Sequence, residues 1–158
     1  MIIAGIDPGL SGWVAFLENG MPRDKLSYPL KDGYKYWLTM CDCVYIEKPQ
    51  ARPGESRSSS LTIGINYGRI IGWLESGDVN YIEVHAATWK AQMQLRKPRR
   101  SSMSKKDLKA MAVERAEKLF PDEVFRGPKG GLLDGKAEAY LLAWYGNNIL
   151  GGSNGSIV

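Results

Sequence analysis

The chain has 158 residues, enough for one domain with a substantial core, and its 44% hydrophobic and 24% charged content is ordinary for a globular protein. No apolar run approaches the ~20 residues of a membrane-spanning helix, and MIIAGID opens as a strand rather than a leader peptide, which points to an intracellular protein with no membrane partner. The net charge of +4 is modest but unevenly placed: residues 96–106, RKPRRSSMSKK, carry six positive charges and no acid, the pattern of a solvated loop or of a phosphate-binding segment.

Ile2 to Asp7 is a continuous apolar run and predicts a buried strand. Pro8 to Gly12 form a turn, and Trp13 to Leu17 a second strand. Asn19-Gly20 is a strong hairpin signal, leading into a weaker third strand over Met21 to Tyr28. A short helix is expected within 30–40, and a fourth strand over Cys43 to Glu47. Cys41 and Cys43 lie too close on one strand for an unstrained disulfide and read as reduced core or edge residues.

Lys48 to Ser59 is a polar loop. From Ser60 to Ser76 the pattern is helical, with Leu61, Ile65, Ile71 and Leu74 near one stripe and Gly64, Gly68 and Gly72 on another. A smooth glycine stripe suits close packing of helix on sheet; the alternative is a helix–helix dimer contact. Tyr81 to Val84 predicts a fifth strand, and Ala86 to Gln94 a short helix. Ser104 with Asp107 forms a capping box for a helix ending before Pro121. A last helix runs from Leu133 to Asn147. Residues 1–148 read as a single domain and 149–158 as a frayed tail. The expected fold is α/β: a mixed five-stranded sheet, order 3-2-1-4-5, with helices on both faces.

Four acids stand out. Asp7 and Glu47 close strands; Asp134 and Glu138, four residues apart, share a face at the start of the last helix. Acids that end strands and start helices meet at one edge of an α/β sheet. Each alone has an ordinary reading: Asp7 as a turn cap, Glu47 as a solvated strand end, Asp134 as a helix N-cap. Together they form a cluster of hard oxygen donors suited to Mg²⁺ or Mn²⁺. Two such ions could clamp the attacking and leaving oxygens of a phosphodiester, and the basic loop supplies an attraction for nucleic acid.

GIDPGLSGWVAF resembles the first strand and turn of RuvC-type Holliday junction resolvases, and CVYIEKPQ their second acid motif. GINYGRIIGWL, VHAATWK, SKKDLKAMAVERAEKLFP and LLDGKAEAYLLAWYG resemble the segments that follow, so the resemblance covers about residues 1–147 and is closest to the short phage-type members. It implies a ribonuclease H-like fold, a homodimer, two divalent ions per site and paired nicks in four-way DNA junctions. Asp7, Glu47, Asp134 and Glu138 match the catalytic, metal-binding acids. Departures from that pattern are visible: Ala86 stands where Pro is usual, Glu138 stands where the bacterial enzymes commonly place Asp, and the helix acids are spaced by four rather than three. The loop 48–60 also lacks the aromatic wedge of the bacterial enzymes.

Lys48, Lys90, Lys105, Lys106 and Lys136 lie in or near these motifs and are candidates to hold phosphates. Arg96, Lys97, Arg99 and Arg100 would track a second DNA arm. His85, the lone histidine, ends a strand near the expected site, where it has either a structural or a proton-transfer role. Trp89 is the tryptophan best placed for partial DNA contact. Rival readings keep the fold and metals but change the substrate: a flap- or Y-fork-cutting nuclease, or a ribonuclease H.

Overall fold

The computed structural model describes residues 1–23, 28–29, 32–50, 54, 56–97 and 102–151. Its strands are β1 (Ile2–Asp7), β2 (Trp13–Glu18), β3 (Met21–Pro22), β4 (Tyr28–Pro29), β5 (Cys43–Lys48) and β6 (Tyr81–His85). Its helices are α1 (Lys35–Leu38, after a 3₁₀ turn over Asp32–Tyr34), α2 (Arg57–Ser76), α3 (Ala86–Gln92), α4 (Lys105–Leu119) and α5 (Asp134–Leu150). Among the described residues, no helix is long and apolar enough to cross a membrane.

Of the third strand expected over Met21 to Tyr28, the described residues hold two short pieces, and residues 24–27 lie outside them. β3 pairs with one end of β2 and β4 with the other, both antiparallel. Pro22 and Pro29 each lack the N–H that a ladder takes, which suits an edge position. Counting them as one split strand, the order is the expected 3-2-1-4-5: β3-β2-β1-β5-β6. β1 is antiparallel to β2 and parallel to β5, and β5 is parallel to β6.

Strand alternation builds two cores. Ala4, Ile6, Val14, Phe16, Val44 and Ile46 face α1 and α2, packing with Leu38, Ile70 and Leu74. Ile3, Ala15, Leu17, Cys43 and Tyr45 face the other way, onto Trp89 of α3, Val113 of α4 and Leu141 of α5. Both cysteines are free thiols. Helix α5 lies so close to the sheet that a Cβ on Gly5 would meet the Ala139 carbonyl at 2.2 Å, and one on Gly146 would meet the Tyr45 ring at 2.3 Å. Only glycine permits that approach.

Two helix starts follow from their caps. The Ser56 hydroxyl accepts from the Ser59 N–H, which starts α2 earlier than periodicity suggests. Ser104 and Asp107 make the expected reciprocal capping box of α4. The glycine stripe of α2 does not pack on the sheet. A Cβ at Gly64, Gly68 or Gly72 would meet nothing within 4 Å, and Leu61 and Ile65 beside them are exposed. The sheet-facing reading of that stripe is therefore corrected: α2 packs through Ile70 and Leu74 instead.

Candidate active site

The alternation that fills the α5-side core also aims the acids. Asp7 follows Gly5 and Glu47 follows Tyr45 on the face covered by α3 and α5. The parallel register pairs Ile6 with Ile46, so Asp7 and Glu47 come next, on adjacent strands at the same sheet edge. Asp7 accepts the Gly9 N–H at 2.9 Å, which fixes its carboxylate against the turn, as the turn-capping reading expects. Helix α5 begins at this edge. A Cβ on Gly135 would lie 2.3 Å from the Ser11 carbonyl and 3.1 Å from Asp7 Oδ2, so the missing side chain is what seats the α5 N-terminus against the β1–β2 turn. Asp134 is not the N-cap. Leu133 holds that position without a side-chain bond, and Asp134 pairs with Lys109 Nζ at 2.6 Å.

The carboxylates are coupled through Glu138, which interacts with Glu47 and Asp134 and acts on Asp7. Burial, reinforced by Glu138 and Glu47, pushes the Asp7 pKa up to about 7. Burial likewise raises Glu138; Lys90 opposes the shift, while Glu47 and Asp134 add to it. Burial disfavours charge on Lys90, but Glu138 and Glu47 override it and hold the ammonium above its ordinary range. Its Nζ lies 2.7 Å from Glu138 Oε2 and 3.6 Å from Glu47 Oε2. Glu47 Oε2 also accepts the indole N–H of Trp89 at 2.9 Å.

Among the described residues, no three His, Cys, Asp or Glu side chains already converge as ligands of one ion. The Lys90 ammonium stands between Glu47 and Glu138 and supplies positive charge there. The donor set fits a hard divalent cation all the same. It is made of carboxylates alone, the ligand class of Mg²⁺ and Mn²⁺, and burial, with neighbouring carboxylates adding to it, raises Asp7 and Glu138, a cost of ionisation that a cation relieves.

No protein-family model and no curated protein sequence matches the chain. Solved structures do. A structure described as Thermus thermophilus RuvC in complex with Holliday junction substrate matches with a TM-score of 0.64 at 12% identity, over 96% of this chain and 97% of that one. A second Thermus thermophilus RuvC structure matches with a TM-score of 0.57 at 13% identity, over the same shares. The chain has the fold of RuvC. At such identities the likeness is one of fold, the ribonuclease H-like sheet expected from the sequence.

Within this RuvC fold the basic candidates separate. Lys90 sits among the acids. Lys105 and Lys106 are exposed on the first turn of α4, and Lys105 shares a face with Lys109, four residues on. Lys48 pairs with Glu83 at 2.5 Å across the β5–β6 ladder. Arg96 donates to the Ala87 carbonyl, and Lys97 is exposed. Arg99 and Arg100 lie outside the described residues. His85 is exposed and meets Gln50 at 3.0 Å.

Two expectations are corrected. Lys136 is buried, donating to Glu123 Oε2 at 2.7 Å and to the Val124 carbonyl at 3.0 Å; its ammonium locks the preceding loop onto α5 rather than facing DNA. The helical repeat contained that signal: two residues from Asp134 is a turn of roughly 200°, away from the acid face. Trp89 is fully buried, so it offers no surface to DNA and instead holds Glu47. Lys109 was missed, because a lysine inside a basic helix carries no local mark of its partner.

Proposed function

We propose that this protein is a divalent-metal-dependent endonuclease that resolves four-way DNA junctions by paired nicks. The observation that carries the reading is the gathering of Asp7, Glu47, Asp134 and Glu138 at one sheet edge, where Asp7 feels Glu138 and Glu47, and Glu138 feels Glu47 and Asp134. The RuvC fold supports it, as does the neighbour whose complex contains a Holliday junction substrate. The four carboxylates would hold two Mg²⁺ or Mn²⁺ ions. When bound, these ions supply an activated water and offset charge at the departing 3′ oxygen.

The protein's own groups do the rest. Asp7, anchored by the Gly9 N–H, and Glu47, anchored by Trp89, present fixed oxygens from the rigid sheet. Lys90 and Lys109 keep the metal-free cluster from flying apart, and each can turn to a phosphate once a cation takes its carboxylate. Lys48, Lys105, Lys106, Arg96, Lys97, Arg99 and Arg100 position the DNA through sequence-independent phosphate contacts.

Two nicks related by a twofold axis need two copies of the site, so the working form is a homodimer. The exposed α2 face of Leu61, Ile65 and the three glycines suits the contact, since apolar side chains flank a surface a second helix can approach closely.

A second reading, a flap- or Y-fork-selective debranching nuclease, is favoured by one feature: residues 48–60 include no aromatic to wedge a junction open. A labelled panel of four-way junctions, flaps, forks, linear duplex and RNA–DNA hybrid, with Mg²⁺ or Mn²⁺, separates these. Symmetric nicks in the junction are the expected result. Cutting of flaps and forks alone selects the second reading, and cutting confined to the hybrid makes it a ribonuclease H.

A further inference from the structure

Glu47 is held from behind by a neutral donor. Trp89 Nε1 lies 2.9 Å from Glu47 Oε2, and the indole is fully buried in the core cluster that also holds Met93 and Val84. The two residues come from different elements, α3 and β5, so the bond is made by tertiary packing alone. An indole N–H donates only, and it neither gains nor loses a proton in the working pH range. It therefore fixes the carboxylate without adding charge that competes with a cation, as the Lys90 ammonium on the same oxygen does. Both contacts fall on Oε2; no hydrogen bond among the described residues engages Oε1. The pairing is mutual, because a buried indole N–H without an acceptor is destabilising.

We propose that Trp89 is a positioning residue for the metal site: its N–H clamps Oε2 of Glu47 and leaves Oε1 presented to a divalent cation. This rests on the reading of Glu47 as a metal ligand. Outer hydrogen-bond partners of ligating groups typically govern metal affinity by 10- to 100-fold, which sets the expected size of the effect.

The test uses the 158-residue chain and its Trp89→Phe variant, which keeps the aromatic bulk and deletes the N–H. Free Mn²⁺ binding is measured by electron paramagnetic resonance without DNA. A ¹⁵N-indole spectrum, with the Trp89 peak assigned by its loss in the variant, is followed during Mg²⁺ titration of the wild type. Met93→Leu, a buried neighbour with no polar contact to the acids, controls for a merely structural change. Expected are Mn²⁺ affinity weakened about tenfold or more in Trp89→Phe, unaltered in Met93→Leu, and a Trp89 indole peak that shifts with Mg²⁺. Glu47→Gln separates the two levels of the claim. If Glu47→Gln loses Mn²⁺ while Trp89→Phe binds it as the wild type does, the positioning role is overturned and the metal reading stands. If Glu47→Gln binds Mn²⁺ normally, the metal reading of Glu47 itself fails. Equal weakening in Trp89→Phe and Met93→Leu also overturns the role, as general loosening of the core.

Discussion

Lys90 Nζ stands 2.7 Å from Glu138 Oε2 and reaches Glu47 Oε2 at 3.6 Å, so a single ammonium bridges two acids from different elements. In the metal-free protein it offsets charge that burial makes expensive. Removing it as Lys90→Met leaves both carboxylates uncompensated. With side chains about a fifth exposed (21% and 20%), the expected loss is at the low end of the ~3–5 kcal/mol for breaking a buried pair. Mg²⁺ should narrow the gap between variant and wild type by supplying the missing charge. Thermal melts with and without Mg²⁺ check this; identical melting temperatures in the metal-free state would count against it.

Asp7 gives a pH signature. Its pKa is about 7 in the folded protein against an ordinary 3.8, so between those limits the folded state holds a proton that the unfolded state has released. The group's contribution to stability is thus complete below about pH 4 and is lost as pH rises through about 7. Glu138 shifts the same way. Glu83, Asp107 and Glu117, lowered by Lys48, Ser104 and Arg126, act in the opposite sense at lower pH, so the clean measure is a difference. Metal-free Asp7→Asn should melt higher than wild type at pH 8, with the gap closing toward pH 5. A gap that does not change with pH contradicts the burial of Asp7 as an acid.

Gly135 tests the seating of α5. A Cβ there would meet the Ser11 carbonyl at 2.3 Å and approach Asp7. Gly135→Ala must displace the helix start that carries Asp134 and Glu138. A displacement near 1 Å costs on the order of 10²-fold in rate. Single-turnover cleavage should fall by that order while a folded α/β circular dichroism spectrum persists. Wild-type cleavage by Gly135→Ala would show that the site tolerates a different seating.

The sheet and both strand acids were legible in the sequence because alternation is local: Ile3, Gly5 and Asp7 fall on one face, Ala4 and Ile6 on the other, whatever the rest of the chain does. The capping box of Ser104 and Asp107 was equally local. The helix pair Asp134 and Glu138 was readable from spacing alone. What stayed hidden depends on distant partners. Nothing near Trp89 reveals a bond to Glu47, and nothing near Lys109 reveals Asp134. The glycines of α2 misled because small residues mark close approach without saying to what. Ser56 set the start of α2 inside a polar run that periodicity could not parse.

The basic segment yields a salt-dependence prediction from sequence alone, since Arg99 and Arg100 lie outside the described residues. Replacing both with Ala should weaken binding to every branched substrate by a similar factor. The slope of log affinity against log salt should fall by up to about two units, roughly 0.9 for each phosphate no longer neutralised. Cleavage at saturating protein should change little. An unaltered slope would mean that these arginines are solvated and touch no phosphate.

The most direct test of the metal-nuclease account is Asp7→Asn on a labelled four-way junction. This variant is expected to fold at least as stably as wild type at pH 8, and its melting curve at that pH separates a loss of catalysis from unfolding. The account predicts junction binding within a fewfold of wild type, and no detectable nicking with Mg²⁺ or Mn²⁺. Symmetric nicks at the wild-type rate from Asp7→Asn would contradict it.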